Sequence, residues 1–71
     1  MKIAKIYLTD NLTISIDDNT LINGFPIDLK SPEPSIRQLI SETSCIEIEN
    51  IKYKYFLDPS KILFIKFLKT I

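Results

Sequence analysis

Leu21-Ile22-Asn23-Gly24-Phe25-Pro26-Ile27 places an Asn-Gly pair between two apolar arms. A two-residue type I′ turn needs positive φ at both central residues, and Asn-Gly meets that demand at the least steric cost. The segment is the strongest hairpin signal in the chain and accounts for its only glycine. Pro26 cannot donate to a ladder, so its arm belongs at a sheet edge.

Towards the N-terminus, Lys2 to Leu8 and Leu12 to Ile16 read as a second hairpin around Thr9-Asp10-Asn11. With a three-residue loop and Asn11 in the left-handed position, Leu8 falls opposite Leu12, Ile6 opposite Ile14 and Ala4 opposite Ile16. A two-residue loop would set Lys5 across from Ile16, so the apolar pattern selects the longer turn. Asp17-Asp18-Asn19-Thr20 is the turn that leads on to Leu21.

On the C-terminal side, Ser31-Pro32-Glu33-Pro34 opens a helix, with Ser31 as cap and Pro32 at the first helical position. Ile36, Leu39, Ile40 and Thr43 form its apolar stripe. Cys45 to Glu49 and Ile51 to Phe56 then pair about a two-residue turn at Glu49-Asn50, matching Ile48 with Ile51, Ile46 with Tyr53 and Glu47 with Lys52. Asp58-Pro59-Ser60 turns into Lys61 to Ile71, whose β-branched and aromatic content favours a strand over a short helix and whose near-continuous apolarity implies burial on both faces. The expected fold is α+β, in the order β-β-β-β-α-β-β-β: a small antiparallel sheet of hairpins with one short helix packed on it, and residues 1–71 forming one domain.

The chain has 71 residues, no histidine and one cysteine. Imidazole chemistry, a paired thiolate and a glycine-rich phosphate loop are therefore out of reach, and neither an enzyme nor a cofactor is expected. Ser31, Ser35, Ser41, Ser44 and Ser60 have no histidine to activate them. A lone Cys45, with no basic neighbour in sequence, reads as an inert thiol. Without disulfides, and with Met1 to Asp10 interrupted by Lys2 and Lys5 where a leader would be apolar, the cytosol is the expected compartment.

Formal charge is zero, but residues 1–44 carry four bases and six acids while residues 45–71 carry five lysines and three acids. Two clusters follow. An up-and-down meander would gather Asp17, Asp18 and Asp28 at one rim, where they could dock a basic partner; their spacing does not support a metal site. Lys52-Tyr53-Lys54-Tyr55-Phe56 interleaves aromatics with lysines, as stacking on single-stranded bases requires, although period two sends Tyr53 to the core and leaves Lys52 and Lys54 outside.

The run Ile62 to Leu68 is too short to span a bilayer, and drawn as a helix it has no polar face, so no membrane role is expected. Its apolar surplus asks for a second copy, which makes a homodimer the expected assembly. The leading expectation is a non-enzymatic protein-interaction module that binds and blocks a partner protein, of the size and composition of compact phage inhibitors or immunity proteins. The alternatives are a single-strand nucleic-acid binder using Lys52, Lys54 and the C-terminal lysines, or a homo-oligomeric structural subunit.

Overall fold

A computed structural model describes residues 1–69, so the last two positions of the expected strand Lys61 to Ile71 lie outside the described residues. The elements are β1 (Lys2–Leu8), β2 (Thr13–Asp17), β3 (Leu21–Ile22), β4 (Phe25–Pro26), α1 (Pro32–Ser41), β5 (Ile46–Glu49), β6 (Lys54–Leu57) and β7 (Ile62–Phe67), with a 3-10 turn at Pro59–Lys61. This is the expected α+β order. All strand pairs are antiparallel, but they form two sheets, β2-β1-β7 and β4-β3-β5-β6.

The first hairpin adopts the register that its side chains demand. Ala4 faces Ile16 and Ile6 faces Ile14, Asn11 has φ 70°, and the Leu8 N–H donates to the Leu12 carbonyl at 2.9 Å. Ile3 has no partner on β2, and this bulge lets Ile3 and Ala4 both enter the core. The second hairpin turns at Asn23 (φ 55°) and Gly24 (φ 82°), pairing Ile22 with Phe25 and Leu21 with Pro26.

A continuous meander through both hairpins does not form. The chain leaves the first sheet at a turn closed by Thr20, a buried residue whose Oγ1 accepts from the Asp17 N–H at 3.0 Å and donates to Asp17 Oδ1 at 2.9 Å. β3 then pairs with β5 and not with β2. Asn23 secures this choice through its side chain: Oδ1 accepts from the Glu47 N–H at 3.0 Å, and Nδ2 donates to the Leu39 carbonyl at 2.8 Å. One turn residue thus ties the hairpin to the helix and to a strand 24 positions away.

The helix starts without the expected side-chain cap from Ser31. A cap hydroxyl bonds to the second or third helical N–H, and Pro34 removes the third. Ser35 Oγ instead accepts from the Asp28 N–H at 3.1 Å, and the Ser31 carbonyl receives the Ser35 N–H at 3.3 Å. Ile36 is fully buried, with Leu39 and Ile40 packed beside it, and Glu33 pairs with Arg37 one turn on at 3.0 Å. Thr43 lies beyond the helix, where its hydroxyl donates to the Cys45 carbonyl at 2.8 Å.

The β5–β6 hairpin is displaced four residues from the expected register. Ile46 faces Leu57, Ile48 faces Tyr55 and Glu49 faces Lys54. Asn50 replaces the two-residue turn with a wider loop: its N–H donates to the Tyr53 carbonyl, and its Oδ1 accepts from the Lys52 and Tyr53 N–H groups, both at 2.8 Å. An even displacement keeps every side chain on its own face, so period two cannot distinguish the two registers. Glu47 consequently pairs with Lys54 at 3.3 Å and not with Lys52. Leu57 takes the core position that Tyr53 would have filled, and Tyr53 is exposed.

The core draws on both sheets and the helix: Ile3, Ala4, Ile6, Ile14, Ile16, Ile22, Ile27, Ile36, Ile46, Ile48 and Leu57. Nine of the eleven are isoleucine, whose stiff χ1 limits the entropy lost on burial. β7 is a strand, as expected, yet only one of its faces is covered. Ile65 and Phe67 pack on the core, while Leu63 and Phe64 remain at least half exposed.

An added Cβ at Gly24 would meet nothing within 4 Å, so the cost of a side chain there is set by the backbone alone. Chemical denaturation of Gly24→Val is expected to show a loss of about 1–3 kcal/mol, and Gly24→Asn, which accepts positive φ, a clearly smaller one. Equal losses for the two would contradict the turn assignment.

Candidate functional site

The acids proposed as a rim each have a local partner. Asp17 accepts from the Asn19 N–H at 2.9 Å as well as from the Thr20 hydroxyl. Asp18 pairs with the N-terminal ammonium group at 3.1 Å, and Asp28 accepts from the Lys30 N–H at 3.0 Å. Asp17 and Asp18 close the first sheet, whereas Asp28 precedes the helix. The meander that would have gathered them is absent, and among the described residues no group of three or more acids or cysteines has the arrangement of a metal site.

Lys52 lies in the Asn50–Tyr53 loop, exposed, with its N–H held by Asn50. Lys54 is more informative. It reaches across the ladder to Glu47, and its ammonium group lies 5.7 Å from the centre of the Phe56 ring. Both partners are partly solvated, so the ion pair contributes about 0.2–1 kcal/mol and mainly fixes the side chains in place.

Lys54 and Phe56 stand on one wall of an open groove. It has a volume of about 660 Å³ and runs between the end of β2, with Leu12, Thr13 and Ile14, and β6, with Lys54 to Leu57. Phe56 and Leu12 are exposed apolar groups, 66% and 61% accessible. The charged groups at the groove are Asp10, Asp58, Lys54 and Lys61, two of each sign. The site mixes apolar and polar groups and is electrically balanced.

Its walls are the edge strands of two different sheets. Hydrogen bonds in an antiparallel ladder alternate along each strand. Asn50 bonds to Tyr53, so Tyr55 and Leu57 also bond to β5, and the backbone N–H and C=O of Lys54 and Phe56 point outward. By the same alternation from the Leu8–Leu12 bond, those of Thr13 and Ser15 point outward from β2. The groove therefore combines the exposed Leu12 and Phe56 side chains with backbone groups that have no ladder partner among the described residues on either side.

Sequence reasoning reached Lys54 and, among the C-terminal lysines, Lys61, but missed Leu12 and Thr13, because the groove exists only once two sheets face each other across it. The signal available was the common parity of Lys54 and Phe56, which marks Phe56 as an outward aromatic. No family model matches the chain, and no curated protein or solved structure matches it.

Two exposed carboxylates are held below the usual range. For Asp18 the chief cause is the hydrogen bond from the N-terminal ammonium group, followed by its own backbone N–H. For Asp58 it is the Ser60 N–H, followed by the Ser60 hydroxyl, with the Lys61 charge adding to both. Because the folded values lie below the unfolded one of about 3.9, both groups stabilise the fold above that pH and lose their contribution as pH falls through the folded values. Urea midpoints are therefore expected to stay flat from pH 7 to 5 and to drop below pH 4, less steeply in Asp18→Asn and Asp58→Asn. An unchanged acid limb in both variants would count against these bonds.

Proposed function

We propose that this protein is a non-enzymatic interaction module that holds an extended segment of a partner protein in the groove between β2 and β6, and so acts as an inhibitor or immunity-type protein does, by occupying its partner. The observation that carries this reading is the coincidence of outward-pointing backbone groups at Lys54 and Phe56 with the exposed Phe56 and Leu12 side chains. Strand addition uses these two elements together: the ladder supplies affinity, and pockets for alternate side chains supply specificity. The balanced charge of the groove supports a polypeptide occupant over a phosphate backbone. The lack of any histidine in the chain supports binding over catalysis.

A selection from a displayed library of ten-residue random peptides, followed by NMR titration of the enriched sequences, tests the groove. The amides of Lys54, Phe56 and Thr13 are expected to shift and to gain exchange protection. Phe56→Pro removes an N–H that the folded sheet does not use, so it is expected to keep the fold by circular dichroism yet abolish binding, whereas Phe56→Ala only weakens it. Shifts confined to other strands, or full binding by Phe56→Pro, would overturn the proposal.

β7 favours a second contact, with another copy of the chain. It is the other edge of the first sheet, and Leu63 is exposed on it. Pairing of two β7 edges across a twofold axis would make one six-stranded sheet and cover an edge that is otherwise open to indiscriminate association. Sedimentation equilibrium at high micromolar concentration is expected to return the dimer mass. A monomer at that concentration would exclude this contact.

A further inference from the structure

The first sheet buries one face and leaves the other bare. On the bare face Lys5 stands directly opposite Lys66, and Tyr7 stands opposite Phe64. Opposed like charges on adjacent strands destabilise a sheet. Lys2 joins them: Lys2, Lys5, Tyr7, Ser15, Lys66 and Leu68 line a cleft of about 210 Å³. Among the described residues no carboxylate lies within 4 Å of any of these three lysines. Asp17, the register partner of Lys2, turns its Oδ1 to the Asn19 N–H and the Thr20 hydroxyl and makes no ion pair with Lys2.

Beside the lysines the rings of Tyr7 and Phe64 stack at 4.5 Å with 19° between their planes, and Phe64 is half exposed. Three lysines without an ion pair among the described residues, next to an exposed aromatic platform, are the combination that single strands use, phosphates on lysine and bases on rings. A duplex fits this face less well, because its paired and stacked bases have no face free to lie on the Phe64 ring.

We propose that the outer face of β2-β1-β7 binds single-stranded nucleic acid, with Lys2, Lys5 and Lys66 on consecutive phosphates and Phe64, backed by Tyr7, stacking on a base. This surface is separate from the groove at β6, and neither depends on the other. Of the lysines expected from the sequence to meet a single strand, Lys52, Lys54 and those of the C-terminus, only Lys66 belongs to this surface, and Lys54 already has a carboxylate partner.

Fluorescence anisotropy of the full chain with labelled dT12 and U12, between 20 and 200 mM salt, tests the proposal. Saturable binding is expected, with log affinity falling against log salt at a slope of about −2 for three phosphate contacts. Phe64→Ala is expected to weaken it tenfold or more. Lys66→Glu separates binding from folding, because it replaces a like-charge pair by an opposite one: its melting temperature is expected to rise while its affinity drops at least tenfold. The proposal is overturned if neither oligonucleotide binds saturably, if Lys66→Glu binds as wild type does, or if a 12-base-pair duplex or phosphatidylserine vesicles bind as tightly as the single strands.

Discussion

Neither sheet of this protein can bury its own apolar face. The first has three strands and the second four, two of which are only two residues long. A chain of this size removes a smaller share of its surface from water than a larger domain does, so little stability is in reserve. The solution is one core shared between Ile6, Ile14 and Ile16 of the first sheet and Ile22, Ile46 and Ile48 of the second, closed by Ile36 of the helix. Facing the sheets inward leaves their lateral edges apart, and the gap between β2 and β6 is the groove. The candidate binding site is thus a consequence of how the core is built.

Two short polar side chains make that arrangement specific. Thr20 ends the first sheet with a buried hydroxyl bonded twice to Asp17, and Asn23 anchors the second hairpin to both Glu47 and Leu39. Each supplies bonds that backbone pairing alone leaves unmade. Hydrophobic burial holds the sheets together, and these bonds decide which strands are neighbours.

What was legible in the sequence was local. Asn-Gly, the apolar matching of Ala4, Ile6 and Leu8 to their partners, and the Ser-Pro start of the helix each fix a short-range geometry, so the element order followed directly. What escaped was choice among equivalent alternatives. The β5–β6 register differs by an even number of residues and keeps the same faces, so alternation cannot select it, and the Asn50 side chain and the burial of Leu57 accompany the one that forms. The pairing of β3 with β5 depends on contacts 24 residues apart. Lys2, Lys5 and Lys66 come from opposite ends of the chain, and no sequence window holds them together.

The two proposed surfaces differ in chemistry, backbone edges and a charge-balanced groove on one side, lysines and stacked rings on the other. Both rest on the shared core. Native-state hydrogen exchange measures that core most directly. Protected amides of Ile6 and Ile14 in the first sheet and of Ile46 and Ile48 in the second should open with the same free energy, equal to that of global unfolding, because neither sheet persists without the other. Exchange of Ile46 and Ile48 at a distinctly lower free energy, with Ile6 and Ile14 still protected, would show two independent cores and contradict the account.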